Sequence, residues 1–281
     1  MSQVIACIDT DNRVAHSVCD YAAWAASTLP APLCFLHVME KVETPSALDL
    51  SGNIGPDAQS DLLKQMVAVE EQRARLQREQ GRMLLKQASQ RVQDQHQIDA
   101  TSLQRSDELL ATVDELESDT RLLVIGRKGS HAEAPLGSHV EQLIRGQHKP
   151  LLIAIGDYQV PSKCVIAFDG SETARKLVGM IADSPLLKDL PCILLMVGHD
   201  DAKHRKQLQQ AEQRLRDTGH EVTTLLRQGD VEGLIADTLR SEQANLLVMG
   251  AYGHSKIRQW LVGSTTTRLL QTSQVPILVL R

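Results

Sequence analysis

The strongest constraint on this chain is that it is written twice. "VIACIDTD", beginning at Val4, reappears as "CVIAFDGS" from Cys164. "PLCFLHV" returns as "PCILLMV", and "RLLVIGRKGSH" as "NLLVMGAYGHS". "GSHVEQLIRGQHKPLLIAI" is echoed by the closing "GSTTTRLLQTSQVPILVLR". Order and character are both kept, so two copies of one unit are expected, residues 1–156 and 157–281. They join in "GDYQVPSK", a polar stretch whose proline suits a short linker.

Within each copy, short Val/Ile/Leu runs alternate with helical patterns. In the second copy the strands are expected at Cys164–Phe168, Ile193–Val197, Val222–Leu226, Leu246–Met249 and Ile277–Leu280. Between them lie "ARKLVGMIAD", "HRKQLQQAEQRLRDTG" and "VEGLIADTLRSEQ", with Asp230 placed to cap the last. Near-continuous apolar strands separated by helices predict an α/β fold, a parallel sheet covered on both faces. The copies differ in length at one place. Val38 matches Val197 at an offset of 159, but Gly126 matches Gly250 at 124, so the first copy carries about 35 extra residues. "MEKVETPSALDLSGNIGPDAQSDLL" reads as a loop and "EEQRARLQREQGR" as a charged helix, either a solvated extension of the helix before strand three or a lid or partner-binding arm.

Composition excludes several function classes. A net charge of −5 and pI near 6.1 offer no global attraction to nucleic acid or an anionic membrane. No apolar run approaches the roughly 20 residues that span a bilayer, and "MSQVIACIDTD" enters a strand with no basic leader. A cytoplasmic protein is expected. Cys7, Cys19, Cys34, Cys164 and Cys192 form no CxxC pair, and the odd count argues for reduced, buried thiols rather than a disulfide framework or thiolate metal site.

The chemistry concentrates in "VMGAYGHSKIRQWLVGST", where a strand runs into Gly250, Gly253 and Gly263 followed by Ser264 and Thr265. Ligands of open parallel sheets collect beyond the carboxyl ends of the strands, where the winding reverses. A helix starting at Gly263-Ser264 would present free N–H groups and partial positive charge to phosphate. The competing reading is that the glycines only make a tight turn and a close packing contact. Asp169 closes the first strand of the same copy, as an adenine or ribose contact in need of a partner or as an Asx-turn in "DGSET". Neither GxxxxGK[ST] nor a GxGxxG after the first strand occurs, and no GxSxG elbow supports a hydrolase triad.

The spacing Gly250-x2-Gly253-x9-Gly263-Ser264, with "VIAFDGSETARKLV", "NLLVMGAYGHS" and "VPILVLR", resembles the ATP-binding branch of the universal stress protein family, here in tandem. The resemblance covers nearly the whole chain. It implies five-stranded sheets of order 3-2-1-4-5, Rossmann-like, that pair through their last strands within one chain, with a further homodimer left open. It further implies that Asp169 and the backbone at Val197 meet adenine, while Gly250, Gly253, Gly263, Ser264 and Thr265 surround ribose and phosphates. Asn245 departs from the family's usual Asp.

The first copy keeps Asp9, Val38, Gly126 and Gly129, but only seven residues separate Gly129 from Gly137-Ser138. Pro135 stiffens this shorter loop, and Glu133 adds negative charge that Arg127 and Lys128 oppose. These residues are the weaker candidates, because shortening a close-fitting loop moves several donors together. His254 and Lys256 could reach phosphate or be solvated, and Trp260 reads as a packing anchor. His37 is expected as a hydrogen-bonded core residue, and His131 and His139 lack a third metal ligand.

The expected function is therefore stress-response signalling by an adenine-nucleotide-binding protein. ATP or another adenine nucleotide, with or without Mg²⁺, would set conformation or the choice of a protein partner. A slow ATPase and a nucleotide-free scaffold are the alternatives. No Asp or Glu lies between Gly250 and Leu270 to act as a base, which favours binding over turnover.

Overall fold

The apolar runs of both copies pair side by side into one sheet. In a computed structural model, residues 2–9, 13–39, 56–127, 137–251 and 264–281 are described. The first half contains β1 (Gln3–Cys7), α1 (Arg13–Thr28), β2 (Leu33–Val38), α2 (Pro56–His96), β3 (Ala100–Arg105), α3 (Leu109–Glu115), β4 (Thr120–Gly126), α4 (Ser138–Gly146) and β5 (Leu151–Ala154). The second contains β6 (Cys164–Ala167), α5 (Glu172–Ala182), β7 (Cys192–Val197), α6 (Ala202–Arg216) and β8 (Val222–Arg227). It ends with α7 (Val231–Ser241), β9 (Leu246–Gly250), α8 (Ser264–Thr272) and β10 (Ile277–Leu280). The strands expected from sequence in the second copy are met to within one residue at each end, and Asp230 Oδ2 caps α7 by accepting from Gly233 N at 2.7 Å.

Sheet order is β3-β2-β1-β4-β5-β10-β9-β6-β7-β8. Each half has the order 3-2-1-4-5 and is parallel throughout. The halves meet antiparallel, with Ile153 opposite Ile277, Leu152 opposite Leu278 and Leu151 opposite Val279. The two five-stranded sheets are thus one mixed ten-stranded sheet. Residue alternation divides the core between its faces. Val4, Ala6, Ile166 and Val248 pack beneath α1, α2, α5 and α6, whereas Ile5, Leu123, Val165 and Leu247 pack beneath α3, α4, α7 and α8.

Arginines from each half finish helices of the other. Arg127 Nη1 donates to Ser273 O at 2.6 Å and to Gln271 O at 3.3 Å, at the end of α8. Arg281 Nη1 donates to Arg145 O and Gln147 O at 2.7 and 2.9 Å, at the end of α4. A cation there satisfies orphan carbonyls and opposes the negative end of the helix dipole. The linker is latched as well. Asn245 Oδ1 accepts from Ser162 N at 2.8 Å while its Nδ2 donates to Val160 O at 2.8 Å, a donation that an Asp could not make.

Insertion of residues in the first copy produces a helix where sequence suggested a loop. α2 starts at Pro56, so "PDAQSDLL" is helical, and it continues without a break to His96, spanning roughly 60 Å at 1.5 Å per residue. Leu85, Ala88 and Val92 are buried, and Arg91 clamps the buried Asp20 of α1 through contacts of 2.7 and 3.0 Å. Residues 64–76 are all exposed. Gly81 marks the closest approach: a Cβ there would lie 2.4 Å from His37 Cδ2, so glycine is needed for α2 to sit on the sheet.

The thiols are free, although Cys7 is half-buried rather than buried. Cys164 and Cys192 are register partners with sulfurs 3.2 Å apart. The hydrogen bond to Cys192 and then burial hold the Cys164 thiol well above the ordinary range, so it is a poor nucleophile.

Arg127→Ala removes the cap on α8 and is expected to lower the unfolding free energy by about 1–3 kcal/mol. Urea denaturation followed by circular dichroism measures this. An unchanged midpoint would show that the cap contributes nothing.

Candidate functional site

The second half reverses its winding between β6 and β9, the place in an open parallel sheet where a ligand crevice is expected beyond the carboxyl ends of the strands. Register places the expected residues at that end. Ile166 lies opposite Val248, which puts Asp169 just beyond the level of Gly250. Ala167 lies opposite Leu195 and Phe168 N donates to Leu195 O at 2.9 Å, which brings Asp169 level with Val197. Asp169, Val197 and Gly250 therefore lie together at the carboxyl end of three adjacent strands. Ser264 is the first residue of α8, and Thr265 the second; of these two only the backbone is described. Gly253, Gly263, His254, Lys256 and Trp260 lie outside the described residues.

Local chemistry fixes the Asp169 corner. Asp169 Oδ1 accepts from Ser171 N at 2.9 Å, an Asx-turn, and Ser171 Oγ accepts from Ala174 N at 3.0 Å to cap α5. Gly170 between them has φ +73°, and its carbonyl accepts from Arg175 Nη1 at 3.0 Å and Gln207 Nε2 at 3.1 Å. A Cβ on Gly170 would fall 2.6 Å from Gln207 Oε1. Asp169 is exposed, so the expectation that burial obliges it to find a partner fails. Its carboxylate is a solvated group held by the turn.

Gly250 behaves differently. It is half-buried at the end of β9, and the left-handed glycines of this half do not include it. A Cβ would meet Leu177 Cδ1 at 3.7 Å, an ordinary contact. The reading in which Gly250 is needed for a tight turn is thereby overturned. β9 continues as extended strand through it, pairing Gly250 with Leu280.

In the first half, Asp9 is exposed beyond β1, Val38 is half-buried at the end of β2, and Gly126 is buried at the end of β4. Gly137 N donates to Arg127 O at 3.0 Å, closing the base of the loop ahead of Ser138, which starts α4. Arg127 at that base reaches the other half of the chain. Its guanidinium is spent on the carbonyls of Gln271 and Ser273, and burial lowers its pKa. Gly129, His131, Glu133 and Pro135 lie outside the described residues. His37 is buried with Nδ1 2.7 Å from Ile8 O, and His139 lies within α4. Among the described residues no group of three or more His, Cys, Asp or Glu could hold a metal, and no helix is long and apolar enough to cross a membrane.

The Universal stress protein family matches residues 1–154 and 194–281. The chain belongs to this family. Universal stress protein Slr1230 of Synechocystis is 31% identical over 288 residues, covering all of both chains, so the tandem arrangement is shared by a full-length relative. A universal stress protein from Archaeoglobus fulgidus is 16% identical, covers 99% of this chain and 98% of that chain, and superposes with a TM-score of 0.72, which shows the tandem fold. A second universal stress protein structure from Archaeoglobus fulgidus, in complex with dAMP, is 18% identical and covers 44% of this chain and 100% of that chain at a TM-score of 0.36.

The two glycines of this corner are expected to respond in opposite ways to alanine. Gly170→Ala forces a left-handed alanine and a clash with Gln207, and should cost about 1–2 kcal/mol and lower Tm. Gly250→Ala should leave Tm nearly unchanged. Thermal melts of the two variants check this; equal losses would refute the assignment of roles.

Proposed function

We propose that this universal stress protein binds an adenine nucleotide in the crevice between β6 and β9, and that occupancy sets its conformation or choice of partner. The observation that carries the reading is the character of Gly250. Its backbone is not left-handed, and among the described residues a Cβ there would make no more than an ordinary contact with Leu177 at 3.7 Å, so neither demands glycine. Close approach of a ligand backbone or phosphate does. Asp169 and the Val197 backbone stand at the same edge to receive a base or ribose, and the start of α8 supplies free N–H groups and a positive dipole end for phosphate.

ATP is the nucleotide of choice because the glycine spacing from Gly250 through Gly263 follows the family's ATP-binding pattern, with Mg²⁺ accompanying the triphosphate. The units of this arrangement are residues 1–156 and 157–281. The first is the weaker binder, having a shorter loop and a committed Arg127. Binding rather than turnover is the role, since residues from Gly250 to Leu270 include no carboxylate to orient water. The signal would be read where the molecule exposes apolar surface: Val67, Val69, Leu76 and Met83 lie open along α2.

Gly250→Ala and Asp169→Ala are each expected to weaken ATP binding at least tenfold by calorimetry, with circular dichroism unchanged. Wild-type affinity in both variants would remove the crevice as the site.

A further inference from the structure

A hollow of about 560 Å³, open to solvent, lies in the first half between α2 and the carboxyl ends of β2 and β3, beginning at Met39 next to Val38. Its size falls within the roughly 300–1,000 Å³ of small-molecule sites. Arg78, Arg82 and Lys86 enter it from one face of α2 at successive four-residue steps, about 6 Å apart along the helix. Arg105 enters from the end of β3, an independent element. Leu85 and Met39 form apolar lining. Gln104 secures the corner, its Nε2 donating to Arg78 O at 3.2 Å.

All four cations are exposed, so they are solvated and open to an anion arriving from solution. Among the described residues, none of the four forms a salt bridge, whereas the neighbouring Arg75 is held by Glu79 at 3.1 Å. The nearest acids in sequence to the β3 end are Asp107 and Glu108, where Asp107 Oδ1 accepts from Glu108 N at 2.9 Å. At the equivalent corner of the second half, where β7 enters α6 beside the end of β8, Arg227 holds the register place of Arg105, but the helix start carries acids: Asp200 contacts Arg205 at 2.5 and 2.7 Å, and Asp201 meets His204 at 2.9 Å. The repeat therefore supplies its own comparison. What differs in the first half is Arg78, Arg82 and Lys86, carried on the helix that its insertion lengthened.

We propose that this hollow is a second anion site, taking a small ligand that carries more than one phosphate group. Cations spread over about 12 Å of helix from Arg78 to Lys86 suit a chain of phosphates better than a single one. Arginine forks from two elements can hold separate phosphate groups in place. The site is independent of the β6–β9 crevice and stands whether or not that crevice binds nucleotide.

The test is amide chemical-shift mapping and calorimetry on the full chain, with inorganic tripolyphosphate as the probe. Shifts are expected at Ser102–Ser106 and along residues 78–86, with affinity falling steeply as salt rises. Arg82→Gln combined with Lys86→Gln, both exposed, should reduce binding at this site at least tenfold while ATP affinity in the crevice is kept. Asp169→Ala should leave these shifts in place. Absence of shifts there, or an unchanged affinity in the double variant, would overturn the proposal. So would orthophosphate binding as tightly as tripolyphosphate, or a single-stranded oligonucleotide displacing it with higher affinity.

Discussion

The antiparallel pairing of β5 with β10 is the constraint on which the rest depends. A lone copy would end in an open edge strand, with unpaired N–H and C=O groups and a row of buried-type side chains at risk of association. Joining the two edges removes both at once, and it buries Leu152, Ile153, Ile277 and Leu278 almost completely. The edges that remain, β3 and β8, are the most polar strands in each half, "ATSLQR" and "VTTLLR". Arg127 and Arg281 then tie each half to the last helix of the other, so strand pairing and helix capping reinforce one junction.

This junction sets what the two corners of the molecule can do. α8 is held at its carboxyl end by Arg127 of the first half. Duplication has let the halves diverge: one keeps the glycine spacing of a nucleotide site, while the other lengthens α2 and gathers cations beside β3. The asymmetry is carried by particular residues and not by any difference in strand order.

Much of this was legible in the sequence because repetition and periodicity are local signals. Strand limits, the order 3-2-1-4-5, the cap at Asp230 and the convergence of Asp169, Val197 and Gly250 all follow from pattern or from family resemblance. The start of α2 was missed because Pro, Asp and Ser around residue 56 read as loop. Yet Pro at the first helical position followed by an acid is also a helix-start signal. Other features depend on residues brought together only by packing. Asn245 holds a linker 85 positions away, Asp20 is paired with Arg91 across 71, and Cys164 meets Cys192 across 28. The exposure of Asp169 was misjudged for a related reason: a strand-end position does not reveal how far the following turn projects.

Stoichiometric titration with ATP and Mg²⁺ by calorimetry, on the full chain carrying Arg82→Gln and Lys86→Gln so that the cationic hollow is disabled, tests the central claim most directly. The account predicts one ATP per chain, because the second half alone carries the full-length glycine loop. Two equivalent ATP molecules per chain, or none, would contradict it.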